Sequence, residues 1–221
     1  RSGQFDQSLE KAKAMEAAGS LTIFPGLAVL LAKNYDKKGD TVLAKSYIEP
    51  YITNTSPDKL INTDYELAVK ILSKFSGSQA SLVGILEKAI AADTAKVNKL
   101  KYYKLGYEML EKNNMYTDEL KWYTNYSALR GVKDEVYYYK TTSIAINAKE
   151  GAIASATAKE YVANFPDKPN GYSMNVRAAK LLDTANNLGI LFEAVNTQNE
   201  FLLKDVAKNK QALVNNYYTL I

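Results

Sequence analysis

The 221-residue chain contains no cysteine and no histidine. The first absence excludes a disulfide framework, a thiolate zinc site, a cysteine nucleophile and an iron–sulfur cluster. The second excludes a Ser-His-Asp triad and an imidazole base. Arginine is confined to Arg1, Arg130 and Arg177, and the net charge of +4, from 28 basic and 24 acidic residues, is spread along the chain. Nucleic-acid readers carry a clustered and often arginine-rich basic face, so no nucleic-acid partner is expected. The longest apolar stretch, Leu21 to Ala32, is interrupted by Pro25 and Gly26. It falls short of the ~20 residues that a membrane span requires, and no transmembrane segment is expected. Runs of β-branched residues bounded by hairpin turns are missing. No glycine-rich phosphate loop occurs, and no cofactor is expected.

What remains is helical. From Thr94 to Lys112 the apolar positions Val97, Leu100, Tyr103, Leu105, Tyr107, Met109 and Leu110 recur at spacings that give one broad stripe on a helix. Tyr137-Tyr138-Tyr139 has strand propensity, but its segment, Lys133 to Lys149, reads as helix on both flanks. Breakers fall at short intervals, at Gly19–Ser20, Lys37 to Asp40, Thr53 to Pro57, Ser76 to Ser78, Asn113-Asn114, Gly131, Glu150-Gly151, Pro166 to Gly171 and Asn186 to Gly189. The segments between them have the length of single helices, so the chain reads as helical hairpins joined by short loops.

The hairpins repeat. Gly3, Gly39, Gly77, Asn113, Gly151 and Gly189 are separated by 36, 38, 36, 38 and 38 residues. Glycine and asparagine are the residues that tolerate a left-handed helix terminus. Five positions further on stand Ser8, Ala44, Leu82, Asp118, Ala156 and Ala194, four of them small enough for a close helix crossing. One helix pair cannot cover its own apolar face, so it stacks on its neighbour and the core runs on through the units. The expectation is a single all-α domain over residues 1–221, a solenoid of about five to six helical hairpins. The chain opens in the second half of one unit. It closes at Asp205 to Ile221, which reads either as the first helix of a further unit or as a terminal cap with Lys204, Asp205, Lys208, Asn209, Lys210, Asn215 and Asn216 on its outer face.

These spacings resemble the tetratricopeptide repeat. Tyr102, Leu105, Gly106 and Met109, with Asn113 at the turn, match the first helix of that unit. Ala28, Leu31, Ala32 and Tyr35 match it again, followed by Gly39, Ala44, Ile48, Tyr51 and Pro57. Ala178, Leu181, Leu182 and Ala185 precede Gly189 and Ala194 in the same pattern, and Gly3, Phe5 and Ser8 resemble a turn and second helix. The units around Gly77 and Gly151 depart from it, with Glu66, Val69, Lys70 and Ser73 in one and Lys140, Ser143, Ile144 and Asn147 in the other. The period exceeds the family's usual length of about 34 residues. The resemblance implies a right-handed α-α superhelix that binds proteins or peptides on its concave face without catalysis. A narrower likeness, from Phe165-Pro166-Asp167-Lys168-Pro169-Asn170-Gly171-Tyr172 to Arg177-Ala178 and Leu182-Asp183, is to exported tetratricopeptide proteins of Bacteroidetes. It implies a periplasmic or outer-membrane-associated setting, with a cytoplasmic one as the alternative.

Candidate chemistry is sparse. Glu108 and Glu111 share a helix face, and Asp118-Glu119 and Asp134-Glu135 are adjacent. Each pair suits a solvated face or a helix start, where carboxylates complement the dipole, and no metal site or catalytic residue is assigned. The surplus is tyrosine, with 17 residues. Tyr35, Tyr51, Tyr102 and Tyr161 fall at core positions, as does Trp122 on a second helix. With Tyr102 in the core, helix geometry directs Tyr103 and Tyr107, and in a later unit Tyr138, along the inner groove. The same register places Lys33, Asp36, Leu67, Lys74, Leu110 and Asp183 there. Tyrosine suits such a surface because it joins a rigid ring to a polar tip. Tyr103, Tyr107, Tyr138, Lys33, Asp36, Lys74 and Asp183 are therefore the expected partner-binding residues, the partner being a protein or peptide. Two other readings stay open: a glycan or small-molecule binder at the bacterial surface, and the helical regulatory portion of a larger enzyme.

Overall fold

A computed structural model describes residues 2–185 and 188–220. Arg1, Asn186 and Ile221, which belong to the expected ends and to the Asn186–Gly189 break, lie outside the described residues, as does Asn187. Among the described residues there are thirteen α-helices and no strand. The first two are α1 (Ser2–Ala17) and the short α2 (Ser20–Ile23). Pairs follow: α3 (Leu27–Lys38) with α4 (Thr41–Asn54), and α5 (Asn62–Leu72) with α6 (Gln79–Ala92). Then come α7 (Lys96–Lys112) and α8 (Tyr116–Arg130), α9 (Glu135–Asn147) and α10 (Gly151–Asn164), α11 (Pro169–Leu182) and α12 (Ile190–Leu202), and finally α13 (Val206–Thr219). Tyr137-Tyr138-Tyr139 is helical, inside α9. The chain forms two compact units, residues 1–109 and 110–221.

In the first unit α3 packs on α4, α4 on α5, and α5 on α6, while α3 also touches α5, the first helix of the next pair. Leu31 and Ala32 of α3, Ala44 and Ile48 of α4, Ile71 and Leu72 of α5, and Leu82 and Leu86 of α6 are fully buried. Each such aliphatic side chain contributes about 1.5–3 kcal/mol of burial where it is Leu or Ile. In the second unit α8 packs on α9, α9 on α10, α10 on α11, α11 on α12 and α12 on α13, and α9 again touches the next first helix, α11. Helix starts are capped where the sequence offers aspartate. Asp40, Asp134 and Asp205 accept the backbone N–H of Leu43, Tyr137 and Lys208 at 3.1, 2.9 and 3.1 Å. Each cap is worth about 1 kcal/mol. On α13 the lysines are exposed, but so are Val206, Val214, Tyr217 and Tyr218, so the outer face is not uniformly polar.

The turns correct the expected register. Gly39, Gly77 and Gly189 are left-handed, at φ 82°, 83° and 72°. In the two intervening turns the left-handed residue is Asn114, at φ 56°, and Lys149, at φ 60°, not Asn113 and Gly151. Gly3 lies inside α1. Gly151 opens α10, and a Cβ there would stand 3.3 Å from Leu182 Cδ1, so its small size serves a close contact instead of a turn. Counting five residues from the left-handed positions gives Ala44, Leu82, Glu119, Ala154 and Ala194, and all five are buried. The positions read from the sequence, Asp118 and Ala156, are exposed.

A side chain in the left-handed region costs roughly 1–2 kcal/mol. Gly39→Ala, which meets no steric neighbour, will therefore lower stability by about 1 kcal/mol. Lys149→Gly will raise it by up to about 1 kcal/mol, the gain reduced by the looser unfolded chain. Paired urea titrations check the opposite signs.

Candidate functional site

The residues expected to face a partner separate into three groups. Tyr107, Tyr138 and Asp183 are packed into the interior, not laid along an open groove. Tyr138 stacks on Tyr161 at 6.1 Å between ring centroids, meets Phe165 edge-on, and accepts a hydrogen bond from Asn164 Nδ2 at 3.3 Å. The carboxylate of Asp183 accepts the backbone N–H groups of Leu188 and Leu191, each at 3.2 Å. It thereby ties off the turn ahead of α12. These contacts explain why the sequence puts large or charged groups there without any ligand. Asp36 and Lys74 come together: the Asp36 carboxylate, 3% exposed, takes Lys70 Nζ at 2.5 Å and Lys74 Nζ at 2.7 Å. Burial pushes its carboxyl up, but the two ammonium groups outweigh that and hold it below the ordinary carboxylate range. The cluster pins α3 to α5. Tyr103 is half-buried and Lys33 is exposed.

Two concave features of the first unit lie on the same pair of helices, α5 and α7. One is a groove of about 370 Å³ lined by Glu66, Lys101, Lys104, Leu105 and Glu108. Half-buried Leu105 is its one apolar member, and the rest are charged. Lys104 pairs with Glu108 at 3.7 Å, and Lys101 reaches Glu66 at 4.0 Å. Such exposed pairs contribute roughly 0–1 kcal/mol, so they exchange readily for contacts with an incoming chain. The other feature is a smaller cavity of about 220 Å³ lined by Pro57 and Asp58 of a 3-10 turn, Leu60, the start of α5, the end of α6 with Asp93 and Thr94 after it, and Tyr102. Its polar members include Asp58, Asn62, Tyr65 and Asp93. Sequence reasoning put Tyr102 in the core, where it is, but did not connect it with Tyr65. Both stand twelve residues before a left-handed turn residue, Gly77 and Asn114, and this shared repeat position was the available signal.

The second unit contains an ionisable group that the carboxylate pairs did not reveal. Glu119 is no part of a solvated face. It is 1% exposed, at the repeat position that Ala44, Ala154 and Ala194 fill elsewhere. Its Oε1 has no hydrogen-bond partner among the described residues, and the same holds for Ser127, Thr141 and Thr142 hydroxyls on α8 and α9. Burial, reinforced by the charge of Glu111 and opposed by Lys140, pushes the Glu119 carboxyl up to about 7. Asp134, its counterpart in the other pair, is a helix cap held below its usual range by Arg130, which approaches to 2.8 Å. Among the described residues no group of three or more acidic, cysteine or histidine side chains could hold a metal ion. No helix among them is long and apolar enough to cross a membrane.

The architecture has a counterpart among solved structures. The C-terminal part of a TPR repeat-containing protein from Cytophaga hutchinsonii superposes with a TM-score of 0.50, covering 98% of this chain and 84% of that one at 19% identity. At that identity the likeness concerns the fold, which is an all-α, tetratricopeptide-like arrangement of helical hairpins. No family model matches the chain, and no curated protein matches it significantly.

The buried carboxylate predicts a pH dependence of stability. Its pKa is about 7 in the folded chain and near the ordinary 4.5 once unfolded. Between those values the folded state keeps a proton that the unfolded state has released. Stability thus falls as pH rises through this window, by about 3 kcal/mol, and levels off above it. Glu119→Gln should remove most of that slope and leave the protein more stable than wild type at pH 8. Urea titrations from pH 5 to 8 measure it.

Proposed function

We propose that the chain is a non-enzymatic helical-repeat scaffold that captures a peptide segment of a protein partner along α5 and α7 of its first unit. The observation that carries this reading is the groove in which charged side chains of both signs border Leu105. A partially buried aliphatic side chain supplies the area for an anchor residue, and the surrounding lysines and glutamates set register and orientation. The pairs that now neutralise one another, Lys101 with Glu66 and Lys104 with Glu108, let an extended segment with alternating charges bind by exchanging partners. The same unit carries a further charged cluster, Asp36 with Lys70 and Lys74, and the exposed Lys33 on α3. An exported, periplasmic or outer-membrane-associated setting belongs to the same proposal and is supported by the Phe165-to-Asp183 phrase.

Leu105→Glu tests the reading. It adds a charge where the anchor would sit, on a side chain that is only half-buried, so the fold persists. A displayed library of random peptides panned on wild-type protein should enrich sequences that pair an aliphatic residue with flanking charges. Affinity of those peptides for Leu105→Glu should drop at least about tenfold, the scale of one lost apolar anchor. Peptides that bind both forms equally would remove the groove from the proposal.

A further inference from the structure

The cavity between the ends of α5, α6 and α7 is built differently from the groove, and its chemistry points to one kind of ligand. Tyr65 lines it, is 4% exposed, and its hydroxyl has no hydrogen-bond partner among the described residues. A buried phenol without a partner is costly, whereas phenylalanine would fill the same space at no such cost. Beside it lies Tyr102, whose ring meets that of Tyr65 edge-on at 5.6 Å and whose hydroxyl donates to Asn62 Oδ1. Asp93 is a further lining residue. Its Oδ1 accepts the Ala95 N–H at 2.8 Å, which fixes the carboxylate in place. Asp58 adds a second negative charge, and among the described residues none of those lining the cavity is basic.

The cavity is thus rich in acceptors and poor in donors. It offers a fixed carboxylate, an unused phenol oxygen, a second phenol oxygen with spare lone pairs, and aromatic rings. The sign of its field shows on the tyrosines themselves. Burial, then the charges of Asp64 and Asp93, push the Tyr65 phenol up; burial and Asp93, with smaller contributions beyond, push Tyr102 up to about 12. Burial opposes a charge of either sign, but the contributions of the Asp64 and Asp93 carboxylates carry the sign that favours a cation. Calcium and magnesium are held by converging carboxylates, and among the described residues no group of three or more acidic side chains that could hold a metal ion occurs here. A guanidinium presents a planar fork suited to bidentate pairing in one plane, and the Ala95 N–H fixes the plane in which Asp93 can offer its two oxygens. A primary ammonium fits: it is a compact charge with three donors on an apolar stem.

We propose that this cavity binds a primary alkylammonium group, with the charge seated against Asp93 and the Tyr65 hydroxyl and the stem lying along Tyr102 and Ala89. Occupation gives the Tyr65 hydroxyl the donor it lacks. It also brings the cation within reach of two aromatic rings. The volume of about 220 Å³ matches a single side chain. A lysine of a peptide and a free diamine share this chemistry. The inference does not require the Leu105 groove, which is lined by other residues of α5 and α7.

Binding is read from tyrosine-ring NMR signals of the whole chain. The probes are N-acetyl-lysine methylamide, 1,5-diaminopentane and, as the uncharged control, N-acetyl-norleucine methylamide. Both ammonium probes, or one of them, should shift the Tyr65 and Tyr102 signals saturably, and the norleucine compound should not. Saturation by the lysine compound alone assigns the site to a peptide side chain, and saturation by the diamine alone assigns it to a free amine. Asp93→Asn keeps the oxygen that Ala95 needs and should weaken binding at least about tenfold, the scale of one charge-assisted hydrogen bond. Tyr65→Phe should weaken it several-fold while leaving the helical signal and melting unimpaired, and it decides the matter if Asp93→Asn fails to fold. Leu105→Glu should leave these titrations unchanged, so the two sites fail or stand separately. Equal shifts from norleucine, no saturation up to about 50 mM, far weaker than ordinary recognition, or undiminished affinity in both variants would overturn the proposal.

Discussion

Five residues beyond the left-handed residue at Gly39, Gly77, Asn114, Lys149 and Gly189 stands a buried side chain, whereas beyond the left-handed Gly19 and Gly131 the same count reaches exposed Phe24 and Val136. At the five buried positions the second helix has turned back against the first, and whatever stands there is enclosed by both. Ala44, Leu82, Glu119, Ala154 and Ala194 are all buried, none more than 3% exposed. Where the residue is alanine the backbones approach closely, since packing density leaves no room for a gap. The left-handed residue and the buried residue are thus two parts of one device. The first sets the direction of the returning chain and the second sets its distance. Stacking then follows, because a hairpin closed in this way still has an uncovered apolar face, which the next hairpin covers.

Glu119 shows what happens when the device is filled with the wrong chemistry. A carboxylate in an alanine position is shut off from bulk solvent, and the charge of Lys140 does not offset burial and the charge of Glu111, so the proton stays on to near-neutral pH. Unpartnered hydroxyls of Ser127, Thr141 and Thr142 belong to the same two helices, α8 and α9. Buried polar groups stabilise only when they are satisfied, so these four groups cost this pair stability. Counted from Gly39, the corresponding residues are Leu31 and Ala32 on α3 and Ala44 and Ile52 on α4, all apolar and buried, with no such conflict. The two units therefore differ in how they hold their interiors, although one repeat pattern generates both.

The helical class, the hairpin order and most turns were legible because they depend on local rules: apolar period, capping aspartates, and glycine at positive φ. The register was legible only where glycine marked the turn. At Gly39, Gly77 and Gly189 the expected and observed positions coincide. At Asn114 and Lys149 the left-handed residue is not glycine, and the neighbouring Asn113 and Gly151 drew the reading one or two residues away. That slip hid Glu119, because Asp118 took its place in the count. The candidate surface was less legible than the fold. Whether a tyrosine or an aspartate faces solvent depends on helices distant in sequence. Tyr138 is covered by Tyr161 and Phe165 of α10 and the turn after it, and Asp183 by the turn before α12. Neither cover can be counted off along one helix.

The tyrosine surplus is resolved by asking what each hydroxyl does. Tyr47 donates to Glu16 at 2.8 Å, Tyr51 to Asp64 at 3.3 Å, Tyr161 to Glu135 at 2.9 Å and Tyr172 to the Pro166 carbonyl at 2.8 Å. In three of these four the acceptor is a carboxylate on another helix, so the polar tip ties neighbouring helices together while the ring is buried, as at Tyr161, or half-buried, as at Tyr47 and Tyr51. Phenylalanine could supply only the ring, and a shorter polar residue only the polar tip. These three tyrosines join helices across the repeat. Tyr65 differs: the residue is buried and lines a cavity that carries two carboxylates, and its hydroxyl has no hydrogen-bond partner among the described residues. The informative tyrosine is thus the one whose polar tip the fold leaves unused, and the groove residues that surround Leu105 contain no tyrosine at all.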